Sequence, residues 1–364
     1  MEDKLKNIIV TISFLFIIVV MFIANIVKED IDVSITERRK LQLFPKFSLN
    51  SLTNGTFIDK FEDYTMDQFI KRDGFRKLKT IVEFNIFGKK DVNDLYKYND
   101  SIIKQEYPLN EKSVLNICNK INAIKEQYLD ESNSIYYSIV PDKNYFVEDE
   151  YLKMDYSKLE NIMSQNLSNM KYIDILDLLE LEDYYYTDTH WKQENLQNVL
   201  DKIANDMDFS ERIQTGFSVK EITQFDGVYS GQLQLDTKRD FINVLTNDVI
   251  ENAKVYNYET NEYKDVYNLD KLESNDRYDI YLSGATPLLK IENDKSATEK
   301  ELVVFRDSFG SSLIPLFIEA YKSITVVDTR YIAPSMLGEF VDFENKDVLF
   351  IYSTLVINSS SAMK

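Results

Sequence analysis

His190 is the only histidine in this 364-residue chain, so imidazole chemistry can take place only at that position. It lies in the segment Asp188-Thr189-His190-Trp191. An aspartate two residues before a histidine can orient the imidazole, because in an extended backbone their side chains share a face. A neutral imidazole can then act as a general base near pH 7. The spacing therefore favours an Asp-His pair that activates a nucleophile.

Ser308 is the candidate nucleophile. Residues 302–305 predict a buried strand and residues 309–321 predict a helix, so Ser308 would lie just past the carboxyl end of a strand. Ligands of parallel α/β sheets bind at that edge, and the N–H groups of a helix N-terminus favour an oxyanion. Together these residues supply a Ser-His-Asp triad, with Asp188 as the orienting acid and His190 as the base.

Each of these residues also has a purely structural interpretation. Asp307-Ser308 before a helix is an ordinary N-cap pattern. A single histidine beside Trp191 can be a buried structural residue. The simpler interpretation of Trp191 is a packing residue, although it could form part of a platform for a sugar ring.

The elements that must position these residues follow α/β order. Strands are predicted at 135–140, 172–175, 253–258, 278–282, 302–305, 324–327 and 348–352, and helices at 60–88, 111–129, 196–207 and 309–321. Strand, helix and strand at this spacing predict parallel pairing with right-handed crossovers. Residues 31–60 predict an extended lead-in, and residues 210–275 predict a β-rich, antiparallel insertion.

The N-terminus predicts a membrane anchor. Residues 8–27 form a mostly apolar run of about twenty residues, which suits one membrane-spanning helix. Lys4 and Lys6 precede it, and no small-x-small cleavage site follows, which favours an uncleaved signal anchor over a cleaved signal peptide. We therefore expect residues 1–30 to be a cytoplasmic tail and single-pass anchor in the cell membrane, and residues 31–364 to be an extracellular catalytic domain.

Charge and cysteine content exclude several classes of function. The net charge of -19 argues against nucleic-acid binding and favours a neutral polymer over a polyanion as a substrate. Cys118 is the only cysteine, so no intrachain disulfide and no Cys/His zinc site can form. It lies on an apolar helical stripe, which predicts a core residue. We expect neither a metal nor a cofactor.

These blocks resemble the DHHW family of bacterial membrane-anchored proteins. Those proteins are relatives of the alginate O-acetyltransferases in the SGNH-hydrolase-like superfamily. The DHHW signature corresponds to residues 188–191, with Thr189 in place of the first histidine. Residues 305–309 resemble the family's strand followed by Lys-Asp-Ser-Tyr or Gly-Asp-Ser-Phe. Further matching segments are Tyr64, Asp67-Gln68-Phe69, Arg72-Asp73, Val140-Pro141-Asp142-Lys143 and Val326 to Tyr331.

The resemblance implies a flavodoxin-like α/β/α sandwich in which Asp-x-His precedes the serine, a permuted order for an SGNH-like fold. It implies an O-acetyltransferase that acts on an exported polysaccharide through acetyl-Ser308. Acetyl groups would arrive through a membrane-bound O-acyltransferase partner, and the charge balance favours a neutral glucan such as cellulose as the acceptor. Arg330 matches the family arginine and would contact the acceptor or the oxyanion.

The chain departs from the family pattern at two places. Arg306 replaces the glycine before Asp-Ser, which predicts an altered surface near an intact nucleophile. Ser353-Thr354 replaces an asparagine often found after the last strand, so the second oxyanion donor would come from Ser353 or from the backbone N–H of Gly284.

Two other functions remain open from the residues. A carbohydrate acetyl esterase would use the same triad, because the two reactions differ only in whether water or a sugar hydroxyl reaches the acetyl-enzyme. A non-catalytic scaffold subunit of a polysaccharide export complex would need no triad at all, and the altered serine block favours that interpretation.

Overall fold

The computed structural model describes residues 2–34, 36–148, 151–235 and 237–364. Contacts group the chain into two compact units. The first unit comprises residues 1–92 and 230–236, and the second comprises residues 93–229 and 237–364. All the residues of the predicted triad belong to the second unit.

The helices and strands are numbered in chain order. The α-helices are α1 Glu2–Val27, α2 Leu49–Thr53, α3 Thr56–Asp67, α4 Arg72–Asn85, α5 Glu111–Tyr128, α6 Tyr156–Asn166, α7 Gln197–Asp206, α8 Val228–Leu233, α9 Asp248–Asn252, α10 Ser308–Leu313 and α11 Thr354–Asn358. The strands are β1 Val33–Ser34, β2 Arg39–Lys40, β3 Leu95–Tyr98, β4 Ser101–Lys104, β5 Ser134–Val140, β6 Lys171–Ile173, β7 Ser218–Phe225, β8 Asp240–Thr246, β9 Lys254–Asn257, β10 Glu262–Asp265, β11 Leu288–Glu292, β12 Glu301–Arg306, β13 Ser323–Val327 and β14 Asp347–Ser353.

The second unit is built on an eight-stranded sheet with the order β10-β9-β11-β13-β12-β14-β5-β6. Strands β13, β12, β14, β5 and β6 pair in parallel, whereas β10, β9 and β11 add an antiparallel edge. Strand β12 therefore lies inside the sheet, between two parallel neighbours. This position directs its carboxyl end, and Ser308 after it, to the edge where ligands of such sheets bind.

Helices cover both faces of this sheet, which explains why β12 and β14 are almost continuously apolar. Along β12, Val304 packs on the face that carries α7, and Val303 packs on the face that carries α5 and α6. Cys118 on α5 is fully buried in that second layer, as the helical stripe predicts. The predicted mixed α/β fold with a parallel-rich central sheet is confirmed.

Several predicted elements differ from the structure. The predicted strand at 278–282 is wrong: Arg277–Ile280 forms a 3-10 helix, and residues 282–284 follow with positive φ angles of 52, 61 and 78°, which no strand can contain. The lead-in at 31–60 is extended only in part, because α2 begins after a capping box at Ser48 and α3 begins at Thr56. Ile35, within that lead-in, lies outside the described residues. The 60–88 pattern forms two helices, α3 and α4, instead of one.

The stretch from 210 to 275 contains antiparallel pairs. Strands β7 and β8 form a two-stranded sheet, and β9 and β10 extend the central sheet. In the first unit, Lys4–Val27 is long and apolar enough to cross a membrane, and its side chains are exposed.

Candidate active site

Asp188, His190 and Ser308 form a continuous hydrogen-bonded chain. His190 Nδ1 lies 2.7 Å from Asp188 Oδ1, and His190 Nε2 lies 2.7 Å from Ser308 Oγ. A carboxylate can only accept, so Nδ1 carries the proton and donates to Asp188. Nε2 is then free to accept the Ser308 hydroxyl proton, as a general base requires. The second carboxylate oxygen accepts the Val228 N–H at 3.0 Å, so both oxygens of this fully buried acid are bonded.

Ser308 occupies the first position of α10, directly after β12. The N-cap is Asp307, whose Oδ1 accepts the Phe309 N–H at 3.0 Å. Its Oδ2 accepts the Ser353 N–H at 2.7 Å, which ties the turn to the end of β14. The capping role therefore belongs to Asp307, and the partly exposed Ser308 is left to bond His190. At this first helical position the Ser308 N–H has no intrahelical acceptor.

The loop that carries Asp188 and His190 is a tight turn, so the two side chains do not meet through an extended backbone. An antiparallel bridge joins Tyr184 to Trp191, and the Tyr185 N–H donates to the His190 carbonyl at 3.0 Å. The His190 N–H also donates to Asp188 Oδ1 at 3.1 Å. Aspartate side chains commonly bend the backbone in this way. The two side chains meet because the chain turns between them.

Asp240, at the start of β8, fixes the middle of this loop. Its Oδ1 accepts the Tyr186 N–H at 2.8 Å, and its Oδ2 accepts the N–H and hydroxyl of Thr187 at 2.7 and 2.6 Å. The Gly227 N–H donates to the Thr187 hydroxyl at 2.9 Å. A Cβ at residue 227 would collide with the Thr187 backbone, so the loop needs glycine there.

Lys143 stabilises the same loop through hydrogen bonds to its backbone carbonyls. It is buried, and its ammonium group is surrounded by backbone carbonyls. The acceptors of Nζ are the carbonyl oxygens of Ile102 at 2.6 Å, Tyr185 at 2.8 Å, Asp188 at 3.1 Å and Tyr186 at 3.2 Å. Burial lowers the pKa of Lys143 to about 7, although the carboxylates of Asp240 and Asp188 act in the opposite direction.

A Lys143→Met variant is expected to change how stability depends on pH. Above about pH 7 the folded chain has lost the Lys143 proton, whereas an unfolded lysine keeps its proton up to about pH 10.4. The depressed pKa therefore adds stability as the pH rises, by about 1.4 kcal/mol of unfolding free energy per pH unit between these limits. The variant loses this increment. The unfolding free energy of the wild type minus that of the variant should therefore increase from pH 7 to pH 9.

This difference is measured by urea unfolding of the full chain in detergent, with the fluorescence of the buried Trp191 as the signal. Lys97→Met, which removes an exposed lysine from β3, serves as the matched control. Unfolding free energies of wild type and Lys143→Met that run parallel from pH 7 to pH 9 would contradict the expectation.

Tyr278 holds the imidazole from one side. Its ring stacks on His190 with centroids 3.8 Å apart and an interplanar angle of 7°. Burial raises the pKa of Tyr278 well above its usual value, so the phenol stays protonated. Its hydroxyl lies 2.8 Å from Ser312 Oγ, which also accepts the Trp191 Nε1–H at 2.9 Å. Trp191 is fully buried and packs against Phe309, so the sugar-platform interpretation of Trp191 is wrong.

Arg306 is fully buried beneath the turn, so the predicted change to a nearby surface is wrong. Its Nη1 lies 3.3 Å from Asp328 Oδ2, and its Nη2 donates to the Gly284 carbonyl at 2.9 Å. Its Nε has no hydrogen-bond partner among the described residues. Glycine at 310 leaves room for this side chain, because a Cβ there would lie 2.7 Å from Arg306 Cβ.

Arg330 shares Asp328 with Arg306. Its Nε and Nη2 donate to the two Asp328 oxygens at 2.9 and 2.7 Å, and the side chain stays 20% exposed. Arg330 also interacts electrostatically with Asp307, the residue before Ser308. It is thus a partly exposed cation with its guanidinium orientation fixed by a buried acid.

The two residues predicted to supply a second oxyanion donor are already engaged. The Gly284 N–H donates to the Tyr281 carbonyl at 3.1 Å inside the turn at 282–284. The Ser353 N–H donates to Asp307, and its hydroxyl accepts the Val356 N–H. The N–H of Gly284 is therefore used by its own turn and the N–H of Ser353 by the Asp307 carboxylate. The Ser353 hydroxyl still has its own proton to donate, so it stays a candidate oxyanion donor.

Sequence reasoning missed Lys143, Asp240 and Tyr278 as parts of this site. The Val-Pro-x-Lys segment was one available signal for Lys143, but a buried lysine is rare enough that no periodicity predicts it. Asp240 and Tyr278 reach the loop from distant segments and carry no local signature. Within the described residues, no group of three or more His, Cys, Asp or Glu side chains is placed to hold a metal ion.

No family model matches the chain, and no curated protein matches it. Solved structures do share its fold. A DHHW family protein from Eubacterium siraeum has a TM-score of 0.60 and 18% identity, over 75% of this chain and 94% of that one. Bacillus cereus PatB1 has a TM-score of 0.57 and 14% identity, over 72% of this chain and 96% of that one.

A second structure of PatB1, which carries a sulfonyl adduct, has a TM-score of 0.58 and 18% identity, over 73% of this chain and 97% of that one. The TM-scores show a shared fold, and at these identities the likeness shows the fold alone. The resemblance to DHHW family proteins that the sequence motifs indicate is confirmed at the level of the fold.

Proposed function

We propose that this chain is an O-acetyltransferase that passes acetyl groups to hydroxyls of an exported polysaccharide through acetyl-Ser308. The observation that carries the proposal is the pair of 2.7 Å contacts that link Asp188 to His190 and His190 to Ser308 at a helix N-terminus. A non-catalytic scaffold would not need the hydrogen bonds that join Asp188, His190 and Ser308.

In the first half-reaction, Ser308 Oγ attacks the acetyl carbonyl carbon while His190 Nε2 takes the hydroxyl proton. The bond to the donor's leaving oxygen or sulfur then breaks, and His190 returns the proton to that atom. In the second half-reaction, an acceptor hydroxyl gives its proton to His190 and attacks acetyl-Ser308. Ser308 recovers the proton as the acetylated product leaves.

The remaining groups support these steps. Asp188 holds the imidazole in the tautomer that accepts at Nε2 and stabilises the imidazolium. The Ser308 N–H, at the positive end of α10, is the oxyanion donor that the site offers most directly. Arg330 supplies a fixed, partly exposed positive charge toward the acceptor or the oxyanion. PatB1, whose fold this chain shares, has been solved with a sulfonyl adduct, which supports the use of sulfonyl reagents to test Ser308.

The cellular setting belongs to the same proposal. The apolar helix α1 anchors the chain in the cell membrane, with the second unit outside the cell. Acetyl groups then reach Ser308 from a membrane-bound O-acyltransferase, and the net charge of -19 favours a neutral glucan such as cellulose as the acceptor.

The test offers the full chain a small acetyl ester, with and without neutral oligosaccharides, and follows protein and sugars by mass spectrometry. We expect acetyl-Ser308 without acceptor and acetylated sugar with it. Release of acetate alone, at the same rate with and without every oligosaccharide, would instead make the chain an esterase. Failure of Ser308 to acquire any acetyl group would overturn both the acetyltransferase and the esterase.

A further inference from the structure

The first unit exposes an aromatic cluster that consists of Phe44, Phe47, Phe57, Phe61 and Tyr64. Neighbouring rings in this cluster meet at centroid distances of 5.2–6.5 Å. Phe44 is 58% exposed and Phe47 is 63% exposed. A contiguous apolar surface of this kind is unfavourable in water and marks an interaction site.

A second apolar surface, the α4 stripe, consists of Phe75, Leu78 and Ile81. Spacings of three residues place these side chains on one side of α4, and they are 48%, 55% and 37% exposed. Phe69, in the turn before α4, packs edge-on against Phe75 with ring centroids 5.5 Å apart.

Hydrogen bonds tie both surfaces to the carboxyl end of α1. The Asn25 side chain, inside the last turn of α1, accepts the Ile70 N–H at 2.7 Å. Gln68 exchanges two hydrogen bonds of 2.9 Å with the backbone of Ile31. The Tyr64 hydroxyl donates to Asp30 Oδ1 at 3.2 Å. The end of α3 and the turn before α4 are therefore fixed to the last turn of α1 and to the residues that follow it.

The length of α1 sets the depth of these contacts. The apolar stretch Lys4–Val27 has 24 residues, which corresponds to about 36 Å of helix, against about 30 Å for the hydrocarbon core of a bilayer. Asn25 and Asp30 then lie at the level of the lipid headgroups. Their hydrogen-bonded partners Ile70 and Tyr64 lie beside them, and Tyr64 is itself a member of the aromatic cluster.

We propose that the aromatic cluster and the α4 stripe lie on the lipid bilayer at the point where α1 leaves it. Aromatic side chains are favoured at the membrane interface, and amphipathic helices bury an apolar side there while the opposite side stays in water. On α3, Phe61 belongs to the cluster, whereas Asp63 lies about 200° around the same helix and is exposed. This membrane contact is independent of the acetyl-transfer proposal.

Site-directed spin labelling of the full chain in phosphatidylcholine vesicles tests the proposal. Cys118 is buried, so cysteines introduced at exposed positions are the reactive ones. The variants are Phe61→Cys and Leu78→Cys, with Asp63→Cys as the matched control on α3. Collisions of each nitroxide with oxygen, which concentrates in lipid, are compared with collisions with a water-soluble nickel chelate.

We expect the ratio of oxygen to nickel collisions at residues 61 and 78 to be several-fold above the ratio at residue 63. Equal ratios at all three positions would overturn the proposal, and so would labels at 61 and 78 shielded from both reagents, because a protein surface would then cover them. A label at residue 16, where Phe16 is 67% exposed in the middle of α1, serves as a further control and should also collide mainly with oxygen. If the label at residue 16 were exposed to water, α1 would not span the membrane and the proposal would be overturned.

Discussion

A Ser308→Ala variant is expected to form no acetyl-enzyme and no sulfonyl adduct, and to transfer acetyl groups at background rate. Loss of a serine nucleophile from a hydrogen-bonded triad typically lowers kcat by about 10⁶-fold. The hydroxyl is the only atom removed, and Asp307 rather than Ser308 caps α10, so the fold is expected to stay intact. Mass spectrometry of the protein after treatment with a sulfonyl fluoride, together with the acetyl-transfer assay, measures the effect.

Ser311 provides a matched control on the same helix. It is buried, and its hydroxyl has no hydrogen-bond partner among the described residues. Ser311→Ala therefore removes the same atom from α10 without touching the triad, and it should be labelled and active like the wild type. A Ser308→Ala chain that still acquires one sulfonyl group at an activated serine would place the nucleophile elsewhere.

Asp188→Ala is expected to lower the rate of acetyl transfer by about 10⁴-fold, because the imidazole loses the group that fixes its tautomer and stabilises its charge. Asp188→Asn separates these two contributions. Asp188 Oδ1 accepts two donors from His190, whereas Oδ2 accepts one from Val228. The amide oxygen should therefore stay on the His190 side, which preserves the tautomer, removes the charge and gives up the hydrogen bond from the Val228 N–H.

We accordingly expect Asp188→Asn to be more active than Asp188→Ala and less active than the wild type. Single-turnover acetylation of Ser308, followed by mass spectrometry, gives the three rates. If both variants acylated Ser308 as fast as the wild type, Asp188 would be a structural residue only.

The sequence predicted the core of the site because its residue types are distinctive. A single histidine restricts the base to one position, and the apolar run before Ser308 marks a strand end that parallel sheets use for ligands. The parallel-rich α/β sheet also followed from pattern, since β12 and β14 are apolar on both faces and α5 carries a clear stripe. These signals are local, so they are readable along the chain.

The parts that failed depend on contacts between distant segments. The strand predicted at 278–282 has the right residue types, but tertiary contacts place Tyr278 on His190 and the chain then turns through three residues with positive φ. Lys143 donates to carbonyls of the loop that carries Asp188 and His190, and Asp240 accepts N–H groups of the same loop. Hydrogen bonds to backbone groups leave no trace in the sequence. The backbone N–H groups of the oxyanion candidates Gly284 and Ser353 are likewise taken, by the Tyr281 carbonyl and the Asp307 carboxylate.

The burial of Arg306 makes residues far apart in the chain depend on one another. Arg306 fits because residue 310 has no side chain, and its charge is balanced by Asp328 and by the Gly284 carbonyl. Replacing Arg306 with glycine alone would leave the buried acid Asp328 short of one partner and would leave an empty space next to the turn that carries Ser308. Among homologues, arginine at 306 should therefore covary with glycine at 310 and an acid at 328.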